Sequence, residues 1–164
     1  MLRQTFVTLF VVAQIISGQV TCSMGDSVWK DGLEFRHALC PASFLQIEAL
    51  AKPVPGLGRP PAYMVIVRNY SKGRIDFDPA IWHLDWTDKK GNQKHELSEN
   101  PDRFRFDSAP AIGRTTLFAG QSATGYVYFK QPNVKEVMLS VQVRSENGDV
   151  TVASIPVSTE AYRL

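Results

Sequence analysis

Hydrophobic and polar residues alternate along most of the chain beyond residue 32, with the period of two that is typical of β-strands. The alternation is clearest over residues 136–144, and a second β-rich run covers residues 149–157. Between the two runs stand Asn147 and Gly148, which both tolerate the positive φ angles of a tight turn. The pattern therefore predicts an antiparallel hairpin made of these two strands.

A second hairpin is predicted around the Lys-Gly-Asn turn at residues 90–92, with its return strand over residues 93–97. The strand before this turn alternates large apolar residues with polar ones. His83 and Asp85 share the polar face, which we expect to be exposed to solvent. The opposite face is expected to anchor a hydrophobic core, and its members are Trp82, Leu84 and Trp86.

Further strands are predicted over residues 63–69, which are nearly all apolar, and over residues 125–129. Residues 44–52 suit a weaker strand, although part of this segment also suits the start of a helix. Segments with several prolines and glycines, at residues 53–61 and 100–113, predict long loops. About seven to nine short strands separated by turns predict an all-β protein with a β-sandwich, and a β-barrel is the alternative.

The N-terminal segment has the features of a secretory signal peptide. A basic residue precedes an apolar run over residues 6–16, and small residues follow it. The run is shorter than the roughly 20 apolar residues that a membrane-spanning helix needs, so we expect cleavage, and a core helix is the alternative. The predicted signal peptide covers residues 1–23, with cleavage after Gly18 or after Ser23. A single domain, residues 24–164, follows it.

The chain has two cysteines, Cys22 and Cys40, and no Cys-x-x-Cys pair. In an exported protein they can form a disulfide, whose loop closure would contribute about 3 kcal/mol to stability. Two unpaired thiols are the alternative to the disulfide, and Cys22 could also be removed with the signal peptide or be lipidated as the first residue of a lipoprotein. Gln19 and Thr21 fit a lipoprotein signal poorly. A secreted or periplasmic location is therefore favoured over a lipid-anchored one.

The order of the motifs resembles that of bacterial telokin-like, immunoglobulin-fold domains of secreted proteins and lipoproteins, over residues 44–157. An apolar strand ends in an Asn-Tyr-Ser turn at Asn69, and a strand-turn-strand segment follows over residues 80–97. A Gly-x-x-x-x-Gly-x-Val-x-Phe segment covers residues 120–129, before the apolar strand at residues 134–143. The resemblance implies an immunoglobulin-like antiparallel β-sandwich and is silent on function. Asn69 also starts a glycosylation sequon, so either a glycan or a turn is expected there.

Composition narrows the classes of function. The chain has 18 Lys and Arg against 16 Asp and Glu, and a net charge of +2 gives no basic surface typical of nucleic-acid binding. No nucleophile elbow, zinc-protease motif or phosphate-binding loop is present in the sequence. We therefore expect neither an enzyme nor a bound cofactor, and no transmembrane segment in the mature chain.

The hairpin around residues 90–92 carries the best-placed candidate metal ligands. His83 and Asp85 lie two residues apart on one strand face, where they could share an ion. With the predicted turn, residue 83 faces about residue 98 and His95 faces about residue 86. The two histidines are then not opposite each other, so ordinary exposed polar residues are favoured and no metal site is assigned.

A soft copper site is the alternative that export suggests, because thioether and imidazole groups bind copper. The ligands of such a carrier would be Met24, Met64, Met138 and His37. Carboxylates near the loops could instead bind calcium. These carboxylates are Asp76, Asp78, Asp85 and Asp88. Neither set has the spacing of a known metal motif, so core packing and solvated surface are favoured for both.

The segment at residues 102–107 (DRFRFD) is the most distinctive candidate surface for a partner. If it is extended, Arg103 and Arg105 point to one side and Phe104 and Phe106 to the other. The arginines suit an anionic protein or polymer, and pairing with neighbouring acidic residues is the alternative. Export, the β pattern and the missing catalytic motifs together predict a non-catalytic binding or structural module of the cell envelope or extracellular space. A periplasmic copper-binding or carrier protein is the alternative.

Overall fold

The computed structural model of the protein describes residues 19–54, 62–99, 110–130 and 132–162. Most of these residues lie in β-strands, and within these ranges no helix is long and apolar enough to cross a membrane. The strands are β1 (Gln19–Thr21), β2 (Ser23–Met24), β3 (Val28–Lys30), β4 (Leu33–Cys40), β5 (Leu45–Leu50), β6 (Ala62–Asn69), β7 (Ile75–Phe77), β8 (His83–Thr87), β9 (Gln93–Leu97), β10 (Thr115–Leu117), β11 (Ser122–Tyr128), β12 (Glu136–Ser145) and β13 (Val150–Ser158).

The strands form two packed sheets, and the protein is an all-β, immunoglobulin-like antiparallel β-sandwich, as predicted. The pair of β1 with β13 is parallel. One sheet has seven strands in the order β1-β13-β12-β7-β10, and β8 and β9 extend it from β12. The other has six strands in the order β11-β6-β5-β4-β2, with β3 also paired to β4. The described ranges hold more strands than the seven to nine predicted. The reason is that several strands are only two or three residues long, too short to leave a pattern in the sequence.

The inner faces of the two sheets supply the main hydrophobic core. Trp82, directly before β8, and Leu84 within it are fully buried in this core, as the alternation predicts. The Trp82 ring stacks on Phe77 with 5.4 Å between centroids, and its Nε1 donates a hydrogen bond to the Gln142 carbonyl oxygen at 3.0 Å. Trp86 is only partly buried at the margin of the core, because it lies next to the turn of its hairpin.

The hairpin of β12 and β13 confirms the clearest prediction from the sequence. Its register runs from Glu136 opposite Ser158 to Arg144 opposite Val150. The turn holds Gly148 at a φ of 87°, which residues with a side chain rarely adopt. Because β12 also pairs with β7 and β8, this strand lies inside its sheet and fixes the position of three neighbours.

The N-terminal strands cross from one sheet to the other. β1 pairs with β13 in the seven-stranded sheet, and β2 pairs with β4 in the six-stranded sheet. Cys22 lies between β1 and β2, and a disulfide joins it to Cys40 at the end of β4. The sandwich therefore contains residues 19–23 in addition to those of the predicted domain. The rest of the predicted signal peptide, residues 1–18, lies outside the described residues.

Replacing Trp82 with Ala is expected to lower the free energy of unfolding by about 3–5 kcal/mol, because the change removes a fully buried indole. The matched control is Trp29→Ala, since the Trp29 side chain is mostly exposed. Urea denaturation of both variants measures the difference. Equal midpoints for the two variants would contradict the inward orientation of Trp82.

Candidate functional site

The outer face of the β8–β9 hairpin brings two imidazoles and a carboxylate together. The apolar side chains of β8 face the core, so His83 and Asp85 lie on the opposite, outer face. On β9, His95 lies directly opposite Asp85, whereas Leu97 lies opposite His83. The two histidines therefore flank the same carboxylate, one along its own strand and one across the hairpin.

The Asp85 carboxylate contacts both imidazole rings. Its Oδ2 lies 3.0 Å from His83 Nε2, and its Oδ1 lies 2.9 Å from His95 Nδ1. One ligand atom from each of the three side chains lies within 4.8 Å of the other two. The ligand atoms of a tetrahedral ion with bonds of about 2.0–2.2 Å lie about 3.3–3.6 Å apart. Small side-chain shifts would therefore bring all three groups onto one ion.

A backbone contact orients the first histidine. His83 Nδ1 lies 3.2 Å from the Ile81 carbonyl oxygen, which can only accept, so Nδ1 carries the proton of this hydrogen bond. Metal-binding histidines usually have one ring nitrogen held in this way, which directs the other nitrogen to the ion. The His83 side chain is 13% exposed, against 41% for Asp85 and 55% for His95. Solvent therefore reaches this group of three from the side of His95.

The predicted register of this hairpin is wrong by one residue. The predicted turn puts His95 opposite residue 86 and residue 83 opposite residue 98, but the structure pairs His95 with Asp85 and His83 with Leu97. Because successive strand residues face opposite sides of a sheet, this slip moves His95 from the inner face to the outer face. With the predicted register, His95 does not lie beside Asp85, so the sequence does not predict this group of three side chains.

The turn of the hairpin explains the difference in register. The Asp88 carboxylate accepts hydrogen bonds from the backbone N–H groups of Lys90 and Asn92, at 2.8 and 2.9 Å. The Asp88 N–H donates to the Asn92 carbonyl oxygen, and Gly91 has a φ of 84°. Hydrogen bonds from Asn92 hold the pKa of the Asp88 carboxyl below its usual value. This capped turn joins Asp88 to Asn92 and so sets the pairing of the strands on either side.

The copper ligands predicted from scattered residues do not form one site. Met24 and Met64 lie on β2 and β6, and His37 lies on β4, all in the six-stranded sheet. Met138 lies on β12 in the seven-stranded sheet, where it is opposite Asp85. Since these residues are divided between two sheets, they do not form the soft copper site that the sequence leaves as an alternative.

The carboxylates considered for calcium make separate contacts. Asp76 lies 3.4 Å from the Arg74 side chain, and Asp78 caps the short helical turn before β8. Asp88 belongs to the turn of the β8–β9 hairpin, and Asp85 lies between the two imidazoles. These four groups therefore have four different structural settings and do not form a calcium site.

Asn69, at the end of β6, is a structural residue and not a glycan acceptor. Its side-chain NH2 group donates to the carbonyl oxygens of Gly73 and Leu117, at 2.8 and 3.1 Å. Its Oδ1 accepts a hydrogen bond from the Ser71 N–H at 3.0 Å. Because the side chain is fully buried, a glycan on its nitrogen has no space. Of the two alternatives for this sequon, the turn is the one that the structure contains.

The remaining predicted site residues fall into two pairs. Cys22 and Cys40 are joined in a disulfide, with their Cα atoms 4.3 Å apart, so the Cys22 sulfur is not available for lipidation in this state. Arg103 and Arg105 lie outside the described residues. Their role in binding a partner stays a prediction.

A second cluster of charged side chains lies on the six-stranded sheet. Glu48 on β5 is 2% exposed, and its carboxylate accepts hydrogen bonds from Lys30 at 2.5 Å and from Gln46 at 3.0 Å. The Arg68 guanidinium forms an ion pair with the same carboxylate at 3.0 Å. Burial by itself raises the pKa of Glu48, but the contacts with Lys30 and Arg68 outweigh burial, so the pKa is lowered. This carboxylate is compensated by two cations, which makes the cluster a structural one.

No protein-family model matches the chain, and no curated protein matches it. Among solved structures, Northeast Structural Genomics Consortium target SoR45 matches at 12% identity and a TM-score of 0.46, over 74% of this chain and 92% of that chain. A PapD-like domain of human CEP192 matches at 12% identity and a TM-score of 0.39, over 74% of this chain and 87% of that domain. Both likenesses are too distant to carry an argument about function, and the resemblance to telokin-like domains stays a prediction.

Replacing Glu48 with Gln is expected to lower the free energy of unfolding by about 2 kcal/mol at neutral pH, because two partly buried contacts with cations are weakened. Since the folded-state pKa of Glu48 is lowered, its contribution is present above the unfolded pKa and is lost as pH falls through the folded pKa. The two proteins should therefore converge in stability in acid. Urea denaturation from neutral to acidic pH tests this, with Glu136→Gln on the exposed side of β12 as control. A difference independent of pH would contradict the assignment.

Proposed function

We propose that this protein is an exported, non-catalytic immunoglobulin-like module that binds a divalent transition-metal ion on the outer face of its seven-stranded sheet. The observation that carries this proposal is the position of the Asp85 carboxylate between the imidazoles of His83 and His95. Two imidazoles and one carboxylate are a common ligand set for zinc and other transition metals. Metal binding, which the sequence leaves as an alternative with scattered methionines and His37 as ligands, is therefore proposed here with His83, Asp85 and His95 as ligands.

The contacts within this group suit the replacement of protons by a metal ion. The contact of 2.9 Å between His95 Nδ1 and Asp85 Oδ1 is a hydrogen bond, which needs a proton between the two atoms. The contact of 3.0 Å between His83 Nε2 and Asp85 Oδ2 is an ion pair when that imidazole is protonated. A divalent ion takes the lone pairs that those protons occupy, and protons are released when it binds. His83 Nδ1 lies 3.2 Å from the Ile81 carbonyl oxygen, so Nε2, the nitrogen beside Asp85, is the one available to an ion.

The open position of the group supports binding of an ion over catalysis. Asp85 and His95 are each more than one-third exposed on a sheet face, where an ion can be taken up and released. Substrates of enzymes usually bind in concave pockets. The cleft of about 410 Å³ lined by Phe77, Arg114 and Arg144 does not include the three ligand residues.

Export is supported by the disulfide between Cys22 and Cys40, because such bridges persist in oxidising compartments. Cleavage after Gly18 would keep Cys22 and β1 in the mature protein. Cleavage after Ser23 would remove both and leave Cys40 unpaired. We therefore place the mature N-terminus at Gln19 and the protein in the periplasm or outside the cell. A protein or polymer partner in that space stays a prediction.

Calorimetric titration of the exported protein with Zn²⁺ is expected to give one site with a dissociation constant of about micromolar or lower. His83→Gln and His95→Gln should each weaken binding at least about 10-fold, since even residues that only support a ligand have effects of that size. His37→Gln is the matched control, because His37 lies on β4 in the other sheet. Circular dichroism checks that each variant is folded. No binding by the wild type, or an equal loss in all three variants, would overturn the proposal.

Mass spectrometry of the protein secreted by a bacterial host tests the proposed processing. We expect an N-terminus at Gln19 and a mass that increases by two hydrogen atoms on reduction, because the disulfide of Cys22 and Cys40 opens. Replacing Cys40 with Ser should remove that increase and lower the free energy of unfolding by about 2–4 kcal/mol. An N-terminus at Met24, or acyl chains on Cys22, would contradict this assignment.

A further inference from the structure

Three protein ligands leave at least one coordination position on a tetrahedral ion unfilled. We propose that the thioether of Met138 fills it, and that the site therefore binds copper as Cu⁺ as well as Cu²⁺. This inference rests on the proposed function, because it names the fourth ligand and the metal of the same site. The copper ligands considered from the sequence are thereby replaced by four residues on the adjacent strands β12, β8 and β9.

Strand pairing places Met138 beside the three ligand residues. β12 pairs with β8 so that Met138 is opposite Asp85, and β8 pairs with β9 so that Asp85 is opposite His95. Directly opposed residues of an antiparallel pair point to the same face, with Cβ atoms about 4.5–5.5 Å apart. One row across the outer face therefore contains Met138, Asp85 and His95, and the adjacent row contains His83.

The exposure of Met138 is a second observation, independent of its register. The other large apolar side chains of β12 face the core and are buried; these are Val137, Leu139, Val141 and Val143. Met138 is 37% exposed on the opposite face, so core packing does not account for a large apolar residue at this position. Its unbranched, flexible side chain can move its sulfur towards an ion held by the neighbouring row.

Ligand softness determines which metal this set prefers. Imidazole binds zinc and copper, carboxylate favours harder divalent ions, and thioether sulfur favours Cu⁺. A set made of two imidazoles, one carboxylate and one thioether therefore suits copper in both oxidation states. Leu97, opposite His83, adds an exposed apolar side chain to the same face.

The test compares Cu⁺ and Zn²⁺ binding by the exported protein. Cu⁺ is kept reduced with ascorbate under anaerobic conditions, and its affinity is measured by competition with a chromophoric Cu⁺ chelator. Met138→Leu preserves the size and apolar character of the side chain. We expect it to weaken Cu⁺ binding by about 10-fold or more and to change Zn²⁺ binding by less than about twofold. The control, Met64→Leu on β6 in the other sheet, should change neither.

X-ray absorption of the Cu⁺ complex provides a second measurement. We expect a copper–sulfur contribution in the wild type that is lost in Met138→Leu. If that variant binds Cu⁺ as tightly as the wild type, or keeps the sulfur contribution, the assignment of Met138 is overturned. In that case the proposed function still stands as long as Zn²⁺ binding depends on His83. If the wild type binds neither ion, both proposals are overturned.

Discussion

The burial of Trp82 and Leu84 between the two sheets is the constraint on which the candidate site depends. These side chains fix the inner face of β8, so the residues between and after them, His83 and Asp85, are held on the outer face. The indole also donates to the carbonyl oxygen of Gln142 on β12, which ties β8 to the strand beside it. The core thus holds the outer face of β8 in place, and the Asp88 turn then sets which residues of β9 lie beside it.

The Glu48 cluster on the six-stranded sheet and the Asp85 group on the seven-stranded sheet differ in two ways. They differ in how far neighbouring cations neutralise the carboxylate, and in how far the carboxylate is exposed to solvent. Glu48 is buried under Lys30 and Arg68, whose positive charges satisfy it and lower its pKa. Asp85 is partly exposed, and its ion-pair partners within the described ranges are the two imidazoles, which bind metal ions through their neutral form. The negative charge of a carboxylate that already contacts two cations is neutralised, so it attracts an added metal ion only weakly. A carboxylate between two imidazoles remains able to exchange protons for a metal, which is why we place the site there.

The sequence by itself determined the fold class and the local elements. Alternation with a period of two, together with an Asn-Gly turn at residues 147–148, was sufficient for the β12–β13 hairpin, since strand period and turn chemistry are local properties. The same alternation identified which residues of β8 face the core and that His83 and Asp85 share a face. It underestimated the number of strands, because strands of two or three residues leave no periodic signal.

Only the tertiary structure decided the composition of the candidate site. The pairing of Asp85 with His95 depends on how many residues the Asp88 turn encloses, and a difference of one residue changes the face on which a side chain lies. The position of Met138 beside Asp85 depends on β12 pairing with β8, two strands far apart in the chain. No local pattern specifies which distant strands become neighbours. That choice follows from packing two complete sheets around one core, so the ligands become recognisable as a set only in the folded protein.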